Sequence, residues 1–259
     1  MIKSILKRTP LYQALRFVRS KRAARTWTPF DKRMLDFYRQ YIGPGDLCFD
    51  IGANIGNRTK IFLALEARVV SVEPQRDCAS LITAAYGNDQ KLIVVNKAVG
   101  ATHGRAELVI SDASPLASLS REWIHAVQNS GRFSDYSWSR TQWVDVITLD
   151  ELIAEHGMPR FIKIDVEGYE YEVLKGLTQP VDTLSLEFTP EFLEQTMMCI
   201  KYLKSLGSIE LNYSLKESME LCLDKWTNGD AIADILKRFQ GDNIMYGDLY
   251  VRFLRRLVR

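Results

Sequence analysis

Short, almost wholly apolar runs alternate with segments of helical character between residues 47 and 188. Strands buried on both faces have this continuous apolar character, and their alternation with helices is typical of a parallel sheet. The chain has 259 residues, of which 46% are hydrophobic, enough for one substantial core. The sequence therefore predicts one α/β domain with helices on both faces of its sheet. The predicted strands are Leu47–Ile51, Arg68–Val72, Leu92–Val95, Phe161–Ile164, Thr183–Phe188 and 249–253.

A glycine-containing turn follows the first predicted strand, in the segment Asp50-Ile-Gly-Ala-Asn-Ile-Gly. Turns at the carboxyl end of this strand are where α/β sheets bind nucleotides. Gly52 allows the backbone to approach a ligand closely, and Gly56 allows tight contact between helix and strand. The glycine spacing is not that of a dinucleotide-binding loop, and the acid Asp50 is a poor neighbour for a pyrophosphate. The turn instead favours a ligand with a cationic amino-acid part.

Two further segments follow predicted strands at the same edge of the sheet. Glu73 follows the second strand, 23 residues after Asp50. A carboxylate there can accept hydrogen bonds from both hydroxyls of a ribose. The run 96–100 follows the third strand and would bring a backbone group near an adenine. Together with the glycine turn, these segments predict a nucleoside-containing cofactor.

Acids also follow the fourth and fifth predicted strands. Asp165 comes directly after the fourth strand, and Glu187 lies near the end of the fifth. Because the carboxyl ends of parallel strands meet at one edge, both acids should lie in the same crevice as the glycine turn. Glu167 and Glu170 either share this crevice or favour the N-terminus of the next helix.

These segments together resemble the FkbM family of methyltransferases, over about residues 44–190. The resemblance rests on residues 50–56, 72–74, 96–100 and 163–176. It implies a Rossmann-like class I methyltransferase fold: a seven-stranded, mostly parallel sheet with an antiparallel last strand and helices on both faces. It also implies S-adenosylmethionine as methyl donor and, usually, O-methylation of a hydroxyl on a sugar or natural product.

The resemblance further implies roles for individual residues. Gly52, Asn54 and Gly56 would line the cofactor loop, Glu73 would hold the ribose, and Asp165 would face the methionine end. These motifs do not identify the methyl acceptor. The complete set of predicted cofactor-binding residues is Asp50, Gly52, Ala53, Asn54, Gly56, Glu73, Asn96, Ala98 and Asp165.

Methyl transfer to a sugar hydroxyl needs help, because such a hydroxyl is a weak nucleophile. A base or a metal ion must assist its deprotonation. We expect Asp165 or Glu187 to do so, directly or through a divalent cation, since hard cations prefer oxygen ligands. No sequence signature demands a metal, and no metal ligands are predicted. Among the histidines, only His125 is kept as an alternative base.

Aromatic residues gather in a segment that lies outside the best-matched motifs, an insert spanning residues 111–142 and bounded by Trp143. The segment contains Trp123, Phe133, Tyr136 and Trp138 among polar neighbours. Flat aromatic faces beside polar groups suit a carbohydrate acceptor, and they equally suit the core of a small cap. Both interpretations stay open at this point.

The first 33 residues are strongly basic, with ten Lys or Arg and one acid, Asp31. The rest of the chain carries 24 basic and 31 acidic residues, a net charge of −7. We expect a helical arm over residues 1–43 and the methyltransferase domain over 44–259. The arm, through residues 1–25, either contacts an anionic membrane surface or packs on the domain. The net negative charge of the rest of the chain argues against nucleic acid as a partner, because a phosphate backbone requires a basic surface.

The chain lacks an apolar run long enough to span a membrane and does not begin like a secretory signal. Its four cysteines are scattered, which fits a reducing compartment. The expected location is therefore the cytoplasm, with peripheral contact to the inner face of the membrane if the arm binds lipid. Two other functions stay open: methylation of another small molecule at nitrogen or carbon, and an inactive cofactor-binding scaffold.

Overall fold

The computed structural model describes residues 10–112, 116–133, 136–242 and 244–254, with side chains described from Val18 onward. In chain order, its strands are β1 (Leu47–Ile51), β2 (Arg68–Val72), β3 (Leu92–Val95), β4 (Ala98–Val99), β5 (Gly104–Ile110), β6 (Ala117–Ser118), β7 (Arg140–Ile147), β8 (Phe161–Ile164), β9 (Thr183–Phe188), β10 (Ile209–Leu215) and β11 (Gly247–Phe253). The α-helices are α1 (Pro10–Arg25), α2 (Pro29–Tyr38), α3 (Asn57–Ala64), α4 (Arg76–Tyr86), α5 (Arg121–Asn129), α6 (Leu149–His156), α7 (Glu170–Lys175), α8 (Leu193–Leu206) and α9 (Gly229–Leu236).

The central sheet has seven strands in the order β3-β2-β1-β8-β9-β11-β10. The pairs from β3 to β9 are parallel, and β11 runs antiparallel to both of its neighbours. The predicted fold is therefore confirmed, including the antiparallel last strand. The order reverses direction between β1 and β8, where strands of this topology open a crevice at their carboxyl ends.

The two faces of the sheet are covered by different helices. One face packs against α6, α7, α8 and α9 in the larger core cluster, which includes Phe49, Ile162 and Leu184. The other face packs against α2 and α3 in a second cluster, which includes Phe62, Phe161 and Tyr250. Helices on both faces explain why the strands read as continuous apolar runs.

The predicted arm is packed on the domain along the part that is described. Helix α2 begins at a capping box, in which Thr28 and Asp31 each accept the other's backbone N–H, and its Met34 and Tyr38 are fully buried. The end of α1 is held to α4, since Arg25 donates to the Ala85 carbonyl and Tyr86 to the Ala24 carbonyl. The division at residue 43 stays a prediction, as does membrane contact. None of the described helices has the length and apolar content to cross a membrane.

A smaller, four-stranded sheet lies beside the crevice, in the order β4-β7-β5-β6. Its long antiparallel pair joins Gly104–Ile110 to Arg140–Ile147 and so closes the predicted insert at its base. Helix α5 packs between this sheet and the turn Pro190–Phe192. We call β5, β6, β7 and α5 the cap, because they stand over the carboxyl edge of the central sheet.

Candidate active site

An open cleft with a cavity volume of about 120 Å³ lies at the carboxyl ends of the central strands, between the sheet and the cap. The cap contributes Leu108 and Ser118 to its wall. Among the predicted site residues, the cleft is lined by Gly52, Asn54, Glu73, Ala98 and Asp165.

Gly52 begins the turn that forms the floor of the cleft. Its φ of +78° lies in the left-handed region, and a Cβ at this position would overlap the carbonyl oxygen of Asp165. The N–H groups of Gly52 and Ala53 both donate to the Val72 carbonyl, at 2.9 and 3.1 Å. The turn is thus pressed against β2 and β8, and only glycine fits there.

Glu73 stands at the end of β2 with 3% of its surface exposed. Its Oε2 accepts the Asn54 N–H at 2.7 Å, and its Oε1 accepts the Gln75 N–H at 2.8 Å. Burial raises the pKa of Glu73 to about 7, and these two N–H groups limit the rise. Each carboxylate oxygen keeps a lone pair for another donor. Asn96 braces this corner from outside, since its Nδ2 donates to the Glu73 carbonyl at 2.7 Å.

Asn54 brings an unsatisfied acceptor to the cleft. Its side-chain oxygen is buried, and no donor of the described residues bonds to it. Its φ of +53° is in the left-handed region, in which asparagine is among the tolerated residues. A buried amide oxygen without a partner is costly, so this atom marks a place for a ligand's N–H or ammonium group.

Asp50 lies away from the cleft. Its neighbours Phe49 and Ile51 face the larger core cluster, so strand alternation turns Asp50 to the opposite face, toward α3. There its Oδ2 accepts a hydrogen bond from the Thr59 hydroxyl at 2.6 Å, and burial raises its pKa. Asp50 is therefore not part of the cleft wall, and neither are Ala53, Gly56 and Asn96. Cofactor contact by these four residues stays a prediction.

Three carboxylates meet beside the cleft: Asp165, Glu167 and Glu187, which we call the carboxylate triad. One oxygen of each lies within 4.8 Å of the other two. Burial raises the pKa of both glutamates well above the ordinary value, and the charge of Asp165 adds to the effect. Such a group suits a proton, a cationic ligand or a divalent cation.

A buried lysine supports one member of the triad. Lys163 is 1% exposed, and its Nζ lies 3.3 Å from Asp165 Oδ2 and 2.8 Å from Asp248 Oδ1. Although burial opposes its charge, these two carboxylates raise the pKa of Lys163 above its usual value. The sequence interpretation did not identify Lys163 or Asp248. The available signal was a lysine inside a four-residue apolar strand, where a charge needs partners.

The loop that carries Asp165 and Glu167 is held by the cap and by α7. The Ser118 hydroxyl donates to the Glu167 carbonyl at 2.6 Å. Glu170 Oε1 accepts the N–H groups of Val166 and Gly168, at 3.2 and 3.3 Å. Gly168 has a φ of +85°, and a Cβ there would overlap the Trp123 side chain. Glu167 and Glu170 thus have separate roles, one facing the cleft and the other bracing the loop.

The aromatic residues of the insert divide between the two interpretations. Trp123 is 1% exposed and forms the core of the cap with Phe133 and Trp138. Tyr136, stacked on Phe133, and Trp143 are 39% and 59% exposed. Trp123 is therefore structural, whereas the exposed rings keep faces that a sugar can contact. His125 is exposed and does not line the cleft.

Comparison with known proteins places these residues in a family context. Residues 50–210 match the methyltransferase FkbM domain. The hexuronic acid methyltransferase AglP of Haloferax volcanii is 28% identical over 142 residues, which make up 54% of this chain and 53% of that protein. This chain thus matches about half the length of that relative.

Solved structures resemble the chain more distantly. The precorrin-6y C5,15-methyltransferase of Geobacter metallireducens has a TM-score of 0.46 and 10% identity, over 86% of this chain and 87% of the other. A SAM-dependent O-methyltransferase of Thermotoga maritima has a TM-score of 0.39 and 13% identity, over 89% and 68% of the two chains. Similarity at this level adds nothing to the topology described above.

Proposed function

Because this chain belongs to the FkbM methyltransferase family, we propose that it transfers a methyl group from S-adenosylmethionine to a hydroxyl of a sugar, glycan or glycolipid. The observation that carries the proposal is a cleft with acids at both ends, Glu73 at one and Asp165 and Glu167 of the carboxylate triad at the other. Glu73 can bind a ribose, and the acids at the other end can stabilise a positive charge and accept a proton.

The residues of the cleft fit S-adenosylmethionine. Glu73 has lone pairs left for two ribose hydroxyls after it has accepted two backbone N–H groups. The unpartnered oxygen of Asn54 can accept from the ammonium group of the methionine part. The absence of a side chain at Gly52 lets the backbone approach the ligand. When bound, the cofactor would supply a methyl group on a positively charged sulfur.

The chain's own part in the reaction is positioning, charge and proton removal. The cleft walls would hold the acceptor oxygen in line with the methyl group, and such alignment can supply much of the rate acceleration. Asp165, oriented by Lys163, contributes a fixed negative charge beside the reacting atoms. The carboxylate triad provides the base that a weakly acidic hydroxyl requires.

A sugar acceptor is supported by two observations. AglP, the relative named above, is a hexuronic acid methyltransferase. The exposed rings of Tyr136 and Trp143, which lie outside the cleft lining, are of the kind that stack on sugars. A nitrogen or carbon acceptor would fit the same cofactor cleft, and a scaffold without activity would need no unpaired carboxylates beside it.

Calorimetric titration with S-adenosylhomocysteine tests the cofactor. We expect micromolar binding, lost in Glu73→Ala and kept in Glu155→Ala, because Glu155 is 65% exposed and belongs to α6. No binding by the folded, unmodified protein would refute the proposal. With binding established, sugars and glycans incubated with methyl-labelled cofactor should gain label at oxygen, whereas label only on amines would favour the nitrogen acceptor.

A further inference from the structure

The three carboxylates of the triad differ in what surrounds them. Asp165 lines the cofactor cleft, but it is in ionic contact with Lys163 at 3.3 Å. Glu187 has no side-chain partner among the described residues, but it does not line the cofactor cleft. Glu187 instead borders a small neighbouring cavity beside Trp123 and Thr189. Glu167 alone of the three both lines the cofactor cleft and has a carboxylate without a hydrogen-bond or ion-pair partner among the described residues.

The backbone of Glu167 is fixed so that its side chain stays at the cleft. Its φ of +56° lies in the left-handed region, which costs about 1 kcal/mol for a residue with a side chain. The Ser118 hydroxyl holds its carbonyl at 2.6 Å, and Glu170 holds the N–H groups on either side of it. Strain that is maintained by neighbours on two other elements is typical of functional positions.

The place of Glu167 along the cleft decides what it meets. Glu73 ends β2, on one side of β1, and Glu167 follows β8, on the other side. A cofactor with its ribose at Glu73 therefore has its methionine part and reacting sulfur on the side of Glu167. The acceptor hydroxyl must approach this same end, because the methyl group is transferred there.

We propose that Glu167 is the catalytic base of the methyl transfer and that its carboxylate faces the reacting end of the bound cofactor. The hydroxyl proton passes to a Glu167 oxygen while the hydroxyl oxygen forms its bond to the methyl carbon. The electron pair of the broken carbon–sulfur bond stays on sulfur, so the positive charge is lost there and the proton charge is taken up by the carboxylate. This assignment rests on the proposed function.

The proposal has a consequence that needs no knowledge of the acceptor. Although burial raises the pKa of Glu167, a cation at the reacting end favours the ionised carboxylate and is attracted to it, whereas a neutral sulfur is not. Sinefungin carries an amine where the cofactor carries its sulfonium methyl group, and S-adenosylhomocysteine carries neither charge nor methyl group there. Glu167 should therefore make sinefungin bind more tightly than S-adenosylhomocysteine.

Calorimetry with these two probes tests the assignment. We expect Glu167→Gln to reduce the affinity for sinefungin at least about tenfold while the affinity for S-adenosylhomocysteine changes less than about twofold. Glu167→Asp should restore part of the preference. Glu122→Gln, on the exposed face of α5, is the matched control and should leave both affinities unchanged. If Glu167 has a purely structural role, Glu167→Gln should bind both ligands more weakly by the same factor, and this result would overturn the proposal.

The remaining outcomes are also decisive. If Glu187→Gln lost the preference for sinefungin and Glu167→Gln kept it, Glu187 would be the base and the assignment of Glu167 would be refuted. Should Glu167→Gln fail to fold, the unmodified protein still decides, because the assignment requires sinefungin to bind more tightly than S-adenosylhomocysteine, and equal affinities contradict it. Failure of the unmodified protein to bind S-adenosylhomocysteine would instead refute the proposed function.

Discussion

Glu73 shows at the scale of one residue how the fold prepares a ligand contact. The side chain is buried at the end of β2, where two backbone N–H groups hold both of its oxygens. Burial still raises its pKa to about 7, because two neutral donors do not replace the solvation of a full charge. Its ionisation therefore falls within the range in which the protein would be assayed.

The affinity for S-adenosylhomocysteine should accordingly depend on pH. With a pKa of about 7, roughly a tenth of Glu73 is ionised at pH 6 and roughly nine-tenths at pH 8. Since the ionised carboxylate is the better acceptor for two ribose hydroxyls, the affinity should increase by up to about ninefold over this range. Calorimetry at the two pH values measures it. Glu73→Gln should remove the slope and Glu155→Gln should keep it; a flat profile in the unmodified protein would contradict the role of Glu73.

Residue type and spacing predicted the cleft better than they predicted individual contacts. Gly52, Asn54 and Glu73 follow strand ends, so topology alone brings them to the cleft. Asp50 lies inside a strand, and its direction depends on which face of β1 meets α3. Lys163 was not identified because its partner Asp248 is 85 residues away in the chain. A local sequence pattern does not reveal contacts between strands that are far apart in the chain.

At the scale of elements, continuous apolar strands were predictable and alternating ones were not. β3, β8 and β9 have the predicted bounds. β10 (Ile209–Leu215) lies at the edge of the sheet and mixes Glu, Asn and Ser with its apolar residues, and it is not among the predicted strands. For the cap sheet, the sequence predicts only two separate β-rich segments, 106–110 and 143–148, because the pairing of β5 with β7 spans the whole insert.

Gly168 lies at the junction between the cap and the loop that carries Asp165 and Glu167. Substitution of Gly168 should reduce stability more than substitution of a comparable glycine. Gly168→Ala adds a Cβ that overlaps Trp123 at a φ of +85°, whereas Gly131 has a φ of +87° and no atom near its Cβ position. We expect Gly168→Ala to lower the free energy of unfolding by about 3 kcal/mol, from backbone strain and overpacking together. Gly131→Ala should lower it by about 1 kcal/mol, from strain alone.

Urea denaturation of the two variants measures this difference. Combining Gly168→Ala with Trp123→Gly should cost less than the sum of the two single changes, because both the ring and the Cβ that the new Cβ would meet are then absent. Equal destabilisation by Gly168→Ala and Gly131→Ala would show that the contact between loop and cap carries no energy. In that case the cap would not be the element that positions Glu167.

At the scale of the whole molecule, charge is divided between the N-terminal segment and the body. Ten of the 34 basic residues lie within the first 33 positions, and the remaining chain is net acidic. The described part of α1 is anchored by contacts of Ala24 and Arg25 with α4, while Val18, Arg19 and Arg22 are exposed. Packing on the domain and membrane contact are therefore compatible, since they use different faces of α1.

Liposome sedimentation should reveal whether this basic face binds an anionic surface. Each Lys or Arg near such a surface contributes about 1 kcal/mol, so Arg19→Gln combined with Arg22→Gln should weaken binding to phosphatidylserine vesicles more than about tenfold. Lys201→Gln combined with Lys225→Gln removes the same charge from exposed positions of the body and should have little effect. Replacing the two arginines is preferable to deleting residues 1–25, because deletion would also remove the contacts with α4. Equal binding by both double variants, or no binding by the unmodified protein, would contradict membrane contact and leave α1 as a packing element.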